Sequence, residues 1–238
     1  MEELLMKRVL SVAALAVFCM AGTLSAANVL AFEDYTVGTS ALPGALALWG
    51  GCGVCTITND SGTFNTDLTA GGWDVVIYAE QNNSTYPSSA AERTAYVGGG
   101  GKLIGDTWLT GGLDGLLGAS QASENGLVIT TSGDAVFAGL GATINLTNPG
   151  WGIFSQGWNP VGGAVGIGSL NSGGSAIILG NGGKTYLNAP LTDTYSPRSD
   201  GERLIANELG QLTGTPEPAT FVGMGLGLAV LAMRRLRR

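Results

Sequence analysis

The chain has 238 residues, 45% hydrophobic and only 12% charged, with eighteen acidic side chains, eleven basic ones and no histidine. Setting aside two terminal segments, 1–27 and 213–238, leaves five basic against fifteen acidic residues, a net charge of −10 that repels nucleic acid and anionic lipid. Lack of histidine removes the commonest general base, the usual partner of a serine or cysteine nucleophile and the commonest metal ligand, while apolar runs at regular spacing exclude low-complexity disorder despite forty glycines.

Lys7 and Arg8 precede an apolar stretch over 9–20, and Ser25 and Ala27 have the spacing that signal peptidase reads. Residues 1–27 are therefore expected to be a signal peptide cut after Ala27. Residues 28–212 form one predicted globular domain. Its first strand is 28–32, which delivers Glu33 and Asp34 at its C-terminal end. A short helix is expected from Pro43 onward, then a strand over 54–58. Cys52 and Cys55, three apart in an oxidising compartment, predict a loop-locking disulfide. Neither a redox centre at a helix start nor a zinc site fits, because Cys55 opens a strand-like run and further ligands are missing. Residues 59–67 lack the spacing of an EF-hand and read as a solvated turn.

Residues 73–79 are the clearest central strand, apolar on both faces as parallel sheets require, and they end in Glu80, Gln81 and Asn82. A helix over 88–97, capped by Ser88, and a strand over 102–107 follow. This alternation predicts an α/β fold with a doubly wound parallel sheet, since each parallel pair needs a crossover. Residues 108–174 are expected to form a Gly-rich β insertion with strands near 127–131, 142–146 and 164–169. Trp108, Trp151 and Trp158 fall in its expected loops, where an indole either stacks on a sugar ring or lids a core. A hairpin over 175–179 and 183–188 and an amphipathic helix over 200–212 close the domain.

A linker reaches residue 215 and leads into Pro216, Glu217 and Pro218, an uncharged apolar run over 219–233, and Arg234, Arg235, Arg237 and Arg238. As a helix that run spans about 22 Å against a hydrocarbon core of about 30 Å, which suits transient membrane insertion with the arginines held on the cytoplasmic side.

Those three parts, in that order, resemble the PEP-CTERM sorting signal of Gram-negative bacteria. The resemblance implies recognition by an exosortase, a membrane protease-transpeptidase that cuts near the Pro-Glu-Pro element and discards the tail. The destination it implies is the cell surface, outer membrane or extracellular matrix.

Within the body, residues 72–80, 91–97 and 99–104 and the run Tyr186-Leu-Asn-Ala-Pro190 resemble a class I glutamine amidotransferase-like domain, which is flavodoxin-like. Catalytic members carry a cysteine on the sharp turn after the strand matched by 102–104, with histidine nearby. Here Gly105, Asp106 and Thr107 stand in that place, so the resemblance implies a non-catalytic relative. Ligands of such sheets bind beyond the C-terminal strand ends, which makes Glu33, Asp34, Glu80 and Asp106 a candidate ligand or Ca²⁺ site, with Asn82, Thr107, Asn188 and Asp193 beside them. The same carboxylates can instead cap helices and satisfy loop amides. Two readings stay open: a non-enzymatic secreted protein associated with exopolysaccharide or biofilm, and a divergent amidotransferase-like or glycan-active enzyme using paired carboxylates.

Overall fold

A computed structural model describes residues 26–82 and 90–214; most of the expected signal peptide, the Ser88 cap, and the tail with its 219–233 run and arginines lie outside them. The first half alternates as expected: β1 (Ala27–Glu33), α1 (Leu42–Trp49), β2 (Cys52–Thr58), α2 (Ser61–Ala70), β3 (Val75–Glu80), α3 (Ala90–Gly98) and β4 (Leu103–Thr107). These strands lie parallel in the order β2-β1-β3-β4. The chain steps one way from β1 to β2 and then back past β1, so right-handed crossovers place α1 on one face and α2 with α3 on the other.

Helix α1 starts with proline in its first turn and stops at Gly50, whose φ of 67° gives the left-handed cap that glycine adopts without penalty. Helix α2 corrects the expected solvated turn at 59–67. Asp60 caps it by accepting the Thr63 amide at 2.6 Å, and Phe64 and Leu68, one turn apart, are buried. Phe64 meets Phe32 and Tyr78 with ring centroids 5.4 and 5.3 Å away, while Phe32 and Tyr78 stack at 5.0 Å. The expected disulfide joins Cys52 and Cys55 within edge strand β2.

The second half contains α4 (Leu113–Leu116), β5 (Ala119–Glu124), β6 (Val128–Thr130), β7 (Thr143–Leu146), β8 (Gln156–Pro160), β9 (Val165–Ile167), β10 (Ser169–Leu170), β11 (Ile177–Gly180), β12 (Thr185–Asn188), β13 (Tyr195–Ser196) and α5 (Arg198–Thr213). Strand β12 extends the parallel set beside β4, and β11 and β9 follow antiparallel, completing the seven-stranded order β2-β1-β3-β4-β12-β11-β9. Strands β10-β6-β7-β13 form a small antiparallel sheet, and β5 and β8 a ribbon.

The insertion is therefore less separate than its sequence suggests. β9 enters the main sheet, and β13, which lies beyond the expected hairpin, completes the small one. Residues 156–160, expected as a loop, are strand β8. Trp158 is fully buried and its indole N–H donates to the Asn188 carbonyl at 3.1 Å, pinning the ribbon to the main sheet. Helix α5 packs on α1 and buries Leu204, Ile205 and Leu209 completely. It runs on to Thr213, which shortens the expected linker.

Candidate functional site

Strand order reverses between β1 and β3, so the crevice where sheets of this kind hold ligands opens beyond the C-terminal ends of those strands. Register decides which way each side chain points. Glu33 pairs with Ala79, Ala79 with Asp106, and Asp106 with Asn188, forming one row across β1, β3, β4 and β12. Glu80 is the next residue along β3, paired with Thr107, and alternation sends it to the opposite face. Glu33 and Asp106 consequently share one face of the sheet, and Glu80 takes the other. Among the described residues no group of three or more His, Cys, Asp or Glu side chains is placed to hold a metal ion.

Each of the outer carboxylates is engaged by the chain itself. Glu33 accepts hydroxyl bonds from Ser40 at 2.7 Å and from Thr192. Burial raises its carboxyl above the ordinary range, with those two hydroxyls pulling the other way. Asp34 accepts the amides of Gln81 at 2.9 Å and Asn82 at 2.8 Å, clamping the end of β3 to the end of β1. Glu80 takes Arg93 Nη1 at 2.5 Å, and the guanidinium lies 3.8 Å over the Tyr78 ring. Burial raises Glu80 more than its buried partner Arg93 lowers it. Asp193 accepts the amides of Val37 and Gly38, each at 2.8 Å, and the Trp151 indole N–H at 3.1 Å.

Asp106 differs in being sealed. It lies within β4 rather than on a turn after it, fully buried, with neither carboxylate oxygen hydrogen-bonded. Desolvation pushes its pKa up to about 7, and the Glu33 charge adds to the rise. Asn188 is the main influence pulling the other way, and its amide donates to Glu208 Oε2 at 3.1 Å. Glu208, fully buried on α5, is raised well above the carboxylate range by desolvation and then by Asp106. The buried Tyr195 hydroxyl is raised by burial and by both carboxyls. Asp106, Asn188, Glu208 and Tyr195 thus form a buried polar cluster whose two carboxyls are shifted toward the neutral form, rather than a solvent-facing site.

Several participants escaped sequence reasoning. Arg93 shares an otherwise apolar helical stripe with Val97 one turn later, and that shared spacing was its signal. Glu208 follows the inward-facing pair Leu204 and Ile205 by one turn. Tyr35, directly after the β1 carboxylates and 53% exposed, could have been found from its place at a strand end. Of the three tryptophans, Trp158 is core, whereas Trp108 and Trp151 are only half-buried. A shallow cleft of about 460 Å³ lies elsewhere, lined by Trp73, Asp74, Tyr96 and Lys102 near the starts of β3 and β4. Its Tyr96 hydroxyl already donates to the carbonyls of Trp73 and Lys102, and no functional strand end reaches it.

Residues 215–238 match the family described as the PEP-CTERM protein-sorting motif. The motif marks the chain for exosortase-dependent export and sorting in the Gram-negative cell envelope. No curated protein sequence matches the chain. Among solved structures, a candidate GMP synthase component from Thermoplasma acidophilum superimposes with a TM-score of 0.54 at 13% identity, covering 79% of this chain and 95% of the other. A glutamine amidotransferase from Thermotoga maritima gives 0.52 at 8% identity, covering 79% and 98%. At such identities the likeness is one of fold: a mixed α/β domain with a large parallel-rich sheet of the glutamine amidotransferase-like type.

Proposed function

We propose that the chain is a non-enzymatic exported protein that ends at the cell surface or in the extracellular matrix and associates there with exopolysaccharide. The observation that carries this reading is the state of the carboxyl edge. Glu33, Asp34, Glu80 and Asp193 are each engaged by groups of the same chain, and Asp106 is sealed. General acid–base work needs a carboxyl within hydrogen-bond reach of a substrate, and bonds from the chain's own groups compete for four of these five while burial removes the fifth from solvent. Fold likeness to amidotransferases supplies no chemistry by itself.

Signal peptidase is the proposed second processing partner. A cut after Ala27 would place the new α-ammonium group of Asn28 where its amide nitrogen now sits, 2.8 Å from Asp74 Oδ2. Maturation would then replace a hydrogen bond by an ion pair and fasten the start of β1.

Co-sedimentation of the exported protein with polysaccharide extracted from the producing cells, alongside assays for glutaminase and glycosidase turnover, tests the reading. Pelleting without turnover is expected. Turnover abolished by Asp106→Asn or Glu80→Gln would overturn it.

A further inference from the structure

Three aromatic side chains stand around the switch-point crevice, and the chain holds each of them in place. Tyr35 leaves the end of β1 and is 53% exposed. Trp108 leaves the end of β4, and its indole N–H donates to the Gln81 carbonyl at 3.0 Å. Trp151 comes from the loop between β7 and β8 and meets Tyr35 edge-on at 5.7 Å between ring centroids. Gln81, fully buried at the end of β3, ties the first two together: its Nε2 donates to the Tyr35 carbonyl at 2.8 Å, and its Oε1 has no hydrogen-bond partner. Asp193 ties Trp151 to the Tyr35 loop through the amides of Val37 and Gly38. A Cβ on Gly38 would lie 2.8 Å from the Asp193 carbonyl oxygen and 3.1 Å from Pro149 Cβ, so the loops close this tightly only around glycine.

Resting on the exopolysaccharide reading above, we propose that Tyr35, Trp108 and Trp151 form a rim that holds a neutral polysaccharide chain across the carboxyl edge of the sheet. The ligand class follows from chemistry on this edge. Rings fixed before binding offer apolar surface to the C–H face of a pyranose without an ordering cost. Glu33, Asp34 and Asp193 lie at the same strand ends, and Arg93, the cation there, is buried against Glu80, so anionic sugars, nucleotides and phosphates are disfavoured. Tyr35 is exposed and Trp108 and Trp151 are half-buried, so the rings are presented at the surface, which suits a polymer passing over them better than an enclosed metabolite.

Native electrophoresis of the exported protein through gels cast with dextran, xylan, galactomannan or anionic alginate tests the proposal. Retardation in at least one neutral gel and none in alginate is expected. Tyr35→Ala and Trp151→Ala should each weaken that retardation about tenfold or more, while Tyr35→Phe retains it and both Tyr35 variants keep the parent thermal midpoint. Retardation unchanged in both alanine variants would overturn the rim and leave matrix association standing. Binding to cell-derived matrix with no retardation in any neutral gel would also overturn it. Loss in Tyr35→Phe equal to that in Tyr35→Ala would assign the effect to the hydroxyl and contradict ring stacking.

Discussion

Glu80 and Arg93 form a buried ion pair at 2.5 Å, 3% and 5% exposed, and such pairs are most sensitive to the loss of one member. Glu80→Ala should destabilise the domain by about 3–5 kcal/mol because Arg93 is left buried without a counter-charge, whereas the double change Glu80→Leu with Arg93→Met should recover most of that loss. Urea unfolding of the two variants checks the contrast. Asp106 makes the opposite kind of demand. Its folded pKa of about 7 lies above the unfolded value of about 3.9, so the folded state favours the neutral carboxyl. The stability it contributes is complete below about pH 4 and is lost as pH rises towards 7. Glu208, shifted in the same direction, adds to that trend. The thermal midpoint should fall between pH 5 and pH 8, and Asp106→Asn should flatten the decline; a steeper decline in the variant would contradict the assignment.

Strand β2 lies at the edge of the main sheet, with Val54 and Ile57 exposed. Its disulfide closes a loop of only four residues, for which chain entropy gives about 2 kcal/mol. Replacing Cys52 and Cys55 together by serine should lower the thermal midpoint, as should adding reductant to the parent, while reductant should leave the serine variant unmoved. Strands β1 and β3 were legible because they are continuous apolar runs ending in Glu33 and Glu80, and the hairpin because glycines punctuate it. Helix α2 was not, since only Phe64 and Leu68 face inward and Gly62, Thr63, Asn65 and Thr66 blur the stripe. Parallel pairing nevertheless demanded a crossover between β2 and β3, and Asp60 stood ready as its cap. Strand β8 was hidden because Gly157 and Pro160 look like punctuation, whereas long-range burial of Trp158 decides its conformation.

For the whole molecule, topology was readable and convergence was not. Sequence identifies which carboxylates reach the strand ends, but only pairwise register shows that Glu33 and Asp106 share one face while Glu80 takes the other. The binding rim depends on contacts between loops over a hundred residues apart, such as Val37 with Asp193, which no local pattern encodes. Residues 26–215 form their own compact unit, and the sorting motif begins where that unit ends. The body is thus passenger and the tail is address, a division tested most directly by intact mass spectrometry of the protein released by its native host and by an exosortase-deficient strain. The released protein should lack the 219–233 run and its four arginines, and the deficient strain should retain an uncut chain. Recovery of released protein still ending in Arg238 from both strains would contradict the account.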